Sequence, residues 1–176
     1  MGLDGKSIYR GKELRAVKQA SRYARQVHTA SWCAHEHAVL QRLHEAGADV
    51  PRPLAHADNA ILMEFIGDER GAAPTLQTVD LPRPRAHELL ESLLWNVGLM
   101  LGQNLIHADL SAYNVLWWDD RGVIIDLPQA VSADSHPGAW ALLHRDVDRL
   151  CRYFGAQGVE CDAISLTQDL WRRWMG

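Results

Sequence analysis

The 176-residue chain is poor in cysteine and has no long apolar run, and each absence excludes a class of protein. Its three cysteines, Cys33, Cys151 and Cys161, form no CxxC pair and leave one unmatched, which argues against a disulfide framework and favours a reduced, cytoplasmic setting. No apolar run approaches the ~20 residues that a membrane-spanning helix needs. The first residues also lack the apolar stretch of a signal peptide. We therefore expect a cytoplasmic protein with no membrane contact.

The charge of the chain is distributed unevenly. Residues 1–28 hold seven Lys or Arg against two Asp or Glu, whereas the remaining 148 residues hold 11 against 20. A basic arm on an acidic body has the charge needed to contact phosphates, whether of a nucleotide, of RNA or of a ribosomal particle. The alternative is a basic helix face that contacts only solvent.

The hydrophobic pattern predicts one α+β unit in two lobes. Hydrophobic residues make up 47% of the chain. They recur at helical spacing over residues 31–46, 85–104, 136–154 (opened by His136 and Pro137, with Trp140 on the apolar face) and 164–174, and residues 60–66 form a strand-like apolar run. The polar, proline-containing stretch 68–84 predicts a connector. The expected domains are therefore a partial N-lobe (1–67), this connector (68–84) and a mostly helical C-lobe (85–176).

A hairpin is predicted where the hydrophobic period changes. Two β-rich runs, 115–118 and 123–125, are separated by Asp-Asp-Arg-Gly. Asn114 directly precedes the first run, and Asp126 directly follows the second. If Val115 pairs with Ile125, the ladder places Asn114 and Asp126 side by side, about 5 Å apart between Cα atoms. An amide oxygen and a carboxylate at that separation suit a hard cation such as Mg²⁺.

A third polar residue, Asp109, lies five residues before Asn114 and can lie over the same end of the hairpin. A carboxylate beside a metal–phosphate site can orient a hydroxyl and accept its proton, as phosphoryl transfer requires. The alternative is that Asp109, Asn114 and Asp126 are ordinary turn residues at strand ends. Three such residues at the two ends of one hairpin favour the functional interpretation.

Residues 106–114, IHADLSAYN, resemble the H-x-D-x-x-x-x-N catalytic loop of protein-kinase-like enzymes, and residues 125–131, IDLPQAV, are similar to the I-D-x-P-Q motif of the RIO kinase family. The resemblance implies a protein-kinase-like fold that uses ATP and Mg²⁺ to phosphorylate Ser or Thr of a protein, the chain itself included. It implies that Asp109 is the catalytic base and that Asn114 and Asp126 hold the metal.

Weaker similarity to the same family extends over about residues 22–154. Residues 32–36, WCAHE, resemble the helix whose glutamate pairs with a nucleotide-binding lysine, which makes that glutamate Glu36. Residues 62–66, LMEFI, resemble the gatekeeper and hinge. This similarity implies that Met63 contributes to nucleotide binding and that adenine lies against the backbone of Glu64 and Ile66.

Upstream of Glu36 the chain departs from the family pattern. About thirty residues precede that helix, and they contain no G-x-G-x-x-G. Lys18 is a candidate for the nucleotide-binding lysine. However, residues 15–26, RAVKQASRYARQ, are more similar to a basic segment of bacterial family members, which makes Lys18 a surface residue. We therefore expect a shortened kinase with an incomplete N-lobe.

Two other functions fit parts of the sequence. A degenerate, nucleotide-responsive scaffold that docks on RNA or a ribosome-assembly particle would explain the missing glycine loop, whereas the intact Asp109, Asn114 and Asp126 favour an enzyme. A small-molecule phosphotransferase of the aminoglycoside-kinase type would share the H-x-D-x-x-x-x-N motif. The Leu-Pro-Gln of residues 127–129 argues against that second alternative.

Overall fold

The computed structural model describes residues 32–57 and 59–176. The basic arm and Lys18 lie outside these residues. The described elements are, in chain order, helix α1 (residues 32–45), strands β1 (Pro53–Ala57), β2 (Ala60–Met63), β3 (Gly67–Asp68) and β4 (Gly71–Ala72), helix α2 (Arg83–Gly102), strands β5 (Leu105–Ile106), β6 (Val115–Trp118), β7 (Arg121–Ile124) and β8 (Val131–Ser132), and helices α3 (Ala139–Ala156) and α4 (Ala163–Met175). Helices together with small antiparallel sheets confirm the predicted α+β class.

Helix α2 is the central element of the core. Its buried face carries Leu89, Leu93 and Val97, at the helical spacing that the sequence predicted. The helix begins two residues earlier than expected because Pro84 occupies its first turn, where a missing N–H removes no intrahelical hydrogen bond. Helices α3 and α4 and strand β7 all contact α2. Among the described residues, no helix is both long and apolar enough to cross a membrane.

The hairpin β6–β7 lies against α2 at a position that excludes a side chain. A Cβ atom added to Gly122 would lie 2.9 Å from Cδ1 of Leu89 and 3.1 Å from Cδ2 of Leu93. Both distances are shorter than a normal van der Waals contact between carbon atoms. Gly122 therefore permits the close approach of strand and helix.

The hairpin register differs by one residue from the predicted one. Val115 pairs with Ile124, not with Ile125, and the turn contains only Asp119 and Asp120. Both turn residues have positive φ, 49° and 59°, as in a type I′ turn. The predicted four-residue loop was wrong because residue 122 serves packing against α2 and not the turn.

Two further boundaries differ from expectation. Strand β2 ends at Met63, so the apolar run predicted as a strand over 60–66 leaves the ladder three residues early. Trp140 was wrongly placed on the buried face of α3. Ala139 occupies that face in the first turn, and the next residue is rotated from it by about 100°. Trp140 is consequently 40% exposed and stacks on the ring of His144.

A buried amide joins three parts of the molecule. Asn96 of α2 is fully buried; its Oδ1 accepts the backbone N–H of Asp49 (2.6 Å), and its Nδ2 donates to the Asp49 carboxylate (2.9 Å). The carbonyl of Asp49 accepts the N–H of Ile124 at the end of β7 (2.8 Å). Asp49 therefore connects the turn after α1 to both α2 and the hairpin.

Candidate active site

Two segments form the candidate site, residues 107–114 and residues 125–130. The β6–β7 hairpin joins them at one end. At the other end β5 pairs with β8, with Leu105 opposite Ser132 and Ile106 opposite Val131. Both segments are thus held between short antiparallel ribbons, and the predicted residues Asp109, Asn114 and Asp126 lie on them.

Asn114 contacts both segments. Its backbone carbonyl accepts the N–H of Ile125 (3.0 Å), and its side-chain Nδ2 donates to the carbonyl of Asp109 (3.0 Å). Because the amide nitrogen faces the loop, Oδ1 faces away from that carbonyl. Asp126 is one residue beyond the position opposite Asn114, and its φ of 66° bends the chain as it leaves the ribbon. The Asp126 side chain is exposed.

His107 ties the same two segments together from inside. It is 2% exposed, and its Nε2 donates to the carbonyl of Ile125 (3.0 Å). Burial lowers the pKa of His107, so the ring is neutral at pH 7 with the proton on Nε2. Within the described part of the chain, its Nδ1 is a buried atom without a hydrogen-bond partner.

Helix α3 holds the backbone around Asp109. The Asp146 carboxylate, 1% exposed, accepts the N–H groups of Ala108 (2.8 Å) and Leu110 (3.1 Å). Arg145 donates to the carbonyl of Ala108. Ala108 has a φ of 64°, a conformation that costs a non-glycine residue about 1–3 kcal/mol. These side-chain bonds on both sides of Ala108 maintain the strained turn that presents Asp109.

Asp146 is under opposing influences. Burial raises the pKa of its carboxyl to about 7, against the two backbone hydrogen bonds and the positive charges of Arg145 and Arg149, which favour the ionised form. The hydrogen bonds it accepts need free lone pairs on both oxygens. Its protonation state and the order of the loop are therefore linked.

The Asp109 carboxylate has a cationic partner that the sequence did not reveal. Arg149 Nη1 donates to Asp109 Oδ1 at 2.7 Å. This hydrogen bond and charge lower the pKa of Asp109, so the carboxylate is ionised at neutral pH. No described residue donates to Oδ2. Arg149 lies four residues after Arg145 and therefore on the same face of α3. This spacing is the sequence signal from which its contact with the loop could have been predicted.

Glu36 brings helix α1 to residues 125–130. Burial and the negative charge of Asp126 raise the pKa of Glu36, and a hydrogen bond from the backbone of Leu127 opposes the rise. The preceding residue, His35, places Nε2 at 3.3 Å from the carbonyl of Ala130. The structure therefore places Glu36 beside Asp126, where two carboxylates without an intervening cation repel each other.

The predicted hinge has two of its four backbone groups already bonded. The N–H of Glu64 donates to the carbonyl of Arg52 (2.8 Å), and the carbonyl of Ile66 accepts the N–H of Ala73 (2.9 Å). Within the described residues, the carbonyl of Glu64 and the N–H of Ile66 carry no hydrogen bond. Met63 is half-buried and packs against the core. Among the described residues, no hydrogen bond or ion pair joins residues 63–66 to Asp109, Asn114 or Asp126.

The oxygen atoms available at the site suit a hard cation held with few protein ligands. Over residues 32–57 and 59–176, no three His, Cys, Asp or Glu side chains cluster closely enough to hold a metal ion. Two candidate ligands remain, Asn114 Oδ1 and the Asp126 carboxylate. Water and phosphate oxygens would fill the other coordination positions of a Mg²⁺ ion bound by these two groups.

Comparison with known proteins assigns the motifs to one family. A sequence profile of the RIO domain matches residues 4–167. The chain is 35% identical over 137 residues to the RIO-type serine/threonine-protein kinase Rio1 of Haloferax volcanii, covering 77% of this chain and 46% of that protein. The corresponding protein of Thermoplasma acidophilum is 32% identical over 131 residues, which cover 74% and 67%. The alignments therefore span about half to two thirds of these archaeal relatives.

Proposed function

The chain belongs to the RIO domain family, and from that premise we propose that it is an ATP- and Mg²⁺-dependent phosphotransferase acting on Ser or Thr of a protein. The observation that carries the proposal is the hydrogen bonding of Asn114. Its side chain donates to the backbone carbonyl of Asp109, and its own carbonyl accepts the N–H of Ile125, the residue before Asp126. Asn114 thereby joins the two segments that carry the proposed base and the proposed metal ligands. If these residues only capped strand ends, the hydrogen bonds through which Asn114 joins the two segments would not be needed.

In the proposed reaction, Asp109 orients the acceptor hydroxyl and accepts its proton as the oxygen attacks the terminal phosphorus of ATP. The bond from that phosphorus to the bridging oxygen breaks, and ADP leaves with the bridging oxygen. The ionised carboxylate suits this role, because it offers Oδ2 as an acceptor while Arg149 holds Oδ1. The loop backbone around Asp109 is fixed by α3, which limits the cost of positioning at the moment of transfer.

We assign the metal to Asn114 Oδ1 and Asp126. A bound Mg²⁺ would neutralise charge on the phosphates of ATP. The position of Glu36 beside Asp126 supports a cation here. Burial and, after it, repulsion from Asp126 raise the pKa of Glu36, and positive charge between the two carboxylates would relieve that repulsion. Lys18, outside the described residues, is a candidate for part of that charge.

The nucleotide base is proposed to lie at residues 63–66. The carbonyl of Glu64 and the N–H of Ile66 form an acceptor and a donor two residues apart, which complement the amino group and a ring nitrogen of adenine. Met63 would then be the gatekeeper. The N–H of Glu64 and the carbonyl of Ile66 already have hydrogen-bond partners. The proposed adenine contact is therefore limited to the carbonyl of Glu64 and the N–H of Ile66.

The first prediction tests the base. The Asp109→Ala variant should lower phosphoryl transfer roughly 10²- to 10⁴-fold while Mg²⁺-ATP affinity stays nearly unchanged, because proton acceptance acts in the transition state. Transfer of labelled phosphate to the chain itself and to a general protein substrate, with titration calorimetry of ATP, measures both quantities. The control is Asp169→Ala, an exposed carboxylate of α4 paired with Arg172.

The outcomes separate the proposed enzyme from a scaffold. A wild-type chain that binds ATP with Mg²⁺ but transfers no phosphate would contradict the enzyme and favour a nucleotide-responsive scaffold. Full activity of Asp109→Ala would remove Asp109 from the reaction.

A further inference from the structure

Arg149 is placed differently from the other arginine on its part of α3. Arg152, three residues on, is 78% exposed and pairs with Asp148 of its own helix. Arg149 instead reaches across 40 residues of sequence to the loop and donates from Nη1 to Asp109 Oδ1 at 2.7 Å. The two side chains of this pair are 37% and 45% exposed.

Stability does not account for this contact. Ion pairs that solvent reaches contribute little to folding, because water screens the attraction and two side chains lose rotamer freedom. The loop is already held to α3 without it, through Asp146 and Arg145 at the peptide groups around Ala108. The contact therefore adds almost nothing to the attachment of the backbone.

The bonds from Asp146 and Arg145 hold the backbone around Asp109 but leave the torsion angles of its side chain free. A carboxylate that rotates freely presents either oxygen in several directions. With Oδ1 bonded to a guanidinium group that belongs to a packed helix, the carboxylate plane is set and Oδ2 remains for another donor. Groups that react must be held within a fraction of an ångström of the productive geometry.

We propose that Arg149 is a positioning residue, which orients the Asp109 carboxylate so that Oδ2 meets the acceptor hydroxyl. The inference rests on the proposed phosphotransferase function and adds to it a residue of α3 that no motif contains. Arg149 acts on the reaction through Asp109. In this role Arg149 does not contact ATP. Its ion pair with Asp109 also does not inhibit the site, so it need not break before the reaction.

A double-mutant cycle distinguishes three roles of Arg149: positioning of Asp109, direct contact with ATP, and an inhibitory latch. Arg149→Gln is made in the wild-type chain and in the Asp109→Asn chain, with Arg149→Lys as the conservative variant and Arg152→Gln as the control of equal charge on the same helix. Labelled phosphate transfer under saturating ATP gives kcat, its ATP dependence gives KM, and thermal midpoints report folding. The thermal midpoints are needed because the Arg149 charge also acts on Asp146.

The positioning role predicts a specific pattern. Arg149→Gln should lower kcat about 10- to 100-fold with an unchanged KM for ATP and an unchanged thermal midpoint. Arg149→Lys should recover part of that loss, and Arg152→Gln should match the wild type. In the Asp109→Asn chain, Arg149→Gln should change the residual rate less than about twofold, since the residue through which it acts is gone.

Other results overturn the inference. A faster Arg149→Gln variant would make the contact an inhibitory latch. A fall of equal size in both backgrounds, or a raised KM for ATP, would mean that Arg149 contacts phosphate directly. A loss of kcat that follows a lowered thermal midpoint would make its role structural. A wild-type chain without transfer would instead overturn the proposed function and this role with it.

Discussion

The carboxyl group of Asp146 ties the pH dependence of folding to the loop that carries Asp109. Its pKa is raised by burial from an ordinary 3.8 to about 7. Between these values the folded chain binds more protons at this group than the unfolded chain does. The contribution of Asp146 to the free energy of unfolding is therefore largest at low pH and is lost as the pH rises through about 7.

We expect this loss in a comparison of the wild type with Asp146→Asn, which keeps one carbonyl oxygen as acceptor but cannot titrate. The free energy of unfolding of the wild type, relative to the variant, should fall from pH 5 to pH 7 by up to about 1.4 kcal/mol per pH unit. It should level off near pH 8. Urea denaturation at each pH measures it, and a relative stability that rises with pH would contradict the raised pKa.

Residues of the site differ in how well the sequence reveals them. Asp109, Asn114 and Asp126 could be predicted as candidates because their motifs are local in sequence and their polar types are uncommon between apolar strands. Arg149 was missed because its contact with Asp109 spans 40 residues and depends on how α3 packs. Contacts of that kind follow from tertiary structure and not from local pattern.

At the scale of elements, Gly122 controls how closely the hairpin approaches α2. The Gly122→Ala variant should lose about 1–3 kcal/mol in the free energy of unfolding, because the added carbon meets Leu89 at 2.9 Å. Chemical denaturation measures the change. Gly102→Ala is the matched control, since a Cβ at that position meets no atom within 4 Å. Equal stability of the two variants would contradict the close packing at residue 122.

The hairpin also shows what local sequence leaves undetermined. Both strands were predicted, since their apolar and β-branched residues are typical of strands. The register was not, because the glycine at residue 122 was interpreted as part of the turn, while the structure uses it for contact with α2. A one-residue change moves Asp126 from beside Asn114 to the next position along the chain.

At the scale of the whole molecule, the basic arm and the acidic body predict a salt-dependent interaction. Deletion of residues 1–28 removes a local excess of five positive charges from a chain of net charge −4. If the arm contacts phosphates, the deletion should weaken binding to single-stranded RNA and flatten its dependence on salt, since fewer counterions are released. Fluorescence anisotropy over a range of salt concentrations measures the slope. Replacing Arg172 and Arg173 of α4 with Gln is the control, and an unchanged slope after deletion would leave only the solvent-exposed interpretation.

The bonds of Asp49 have a mechanical consequence for the opposite end of α1. They secure the segment that follows the helix to α2 and β7, so any rocking of α1 has its pivot there. Glu36 lies about 13 Å along the axis from the last residue of the helix, at a rise of about 1.5 Å per residue. A tilt of about 10° therefore displaces Glu36 by roughly 2 Å while the hairpin below stays in place. A tilt of α1 would therefore stretch the hydrogen bonds that His35 and Glu36 make with Ala130 and Leu127 and would change the gap between Glu36 and Asp126. A cation bound between these two carboxylates would restrain that tilt.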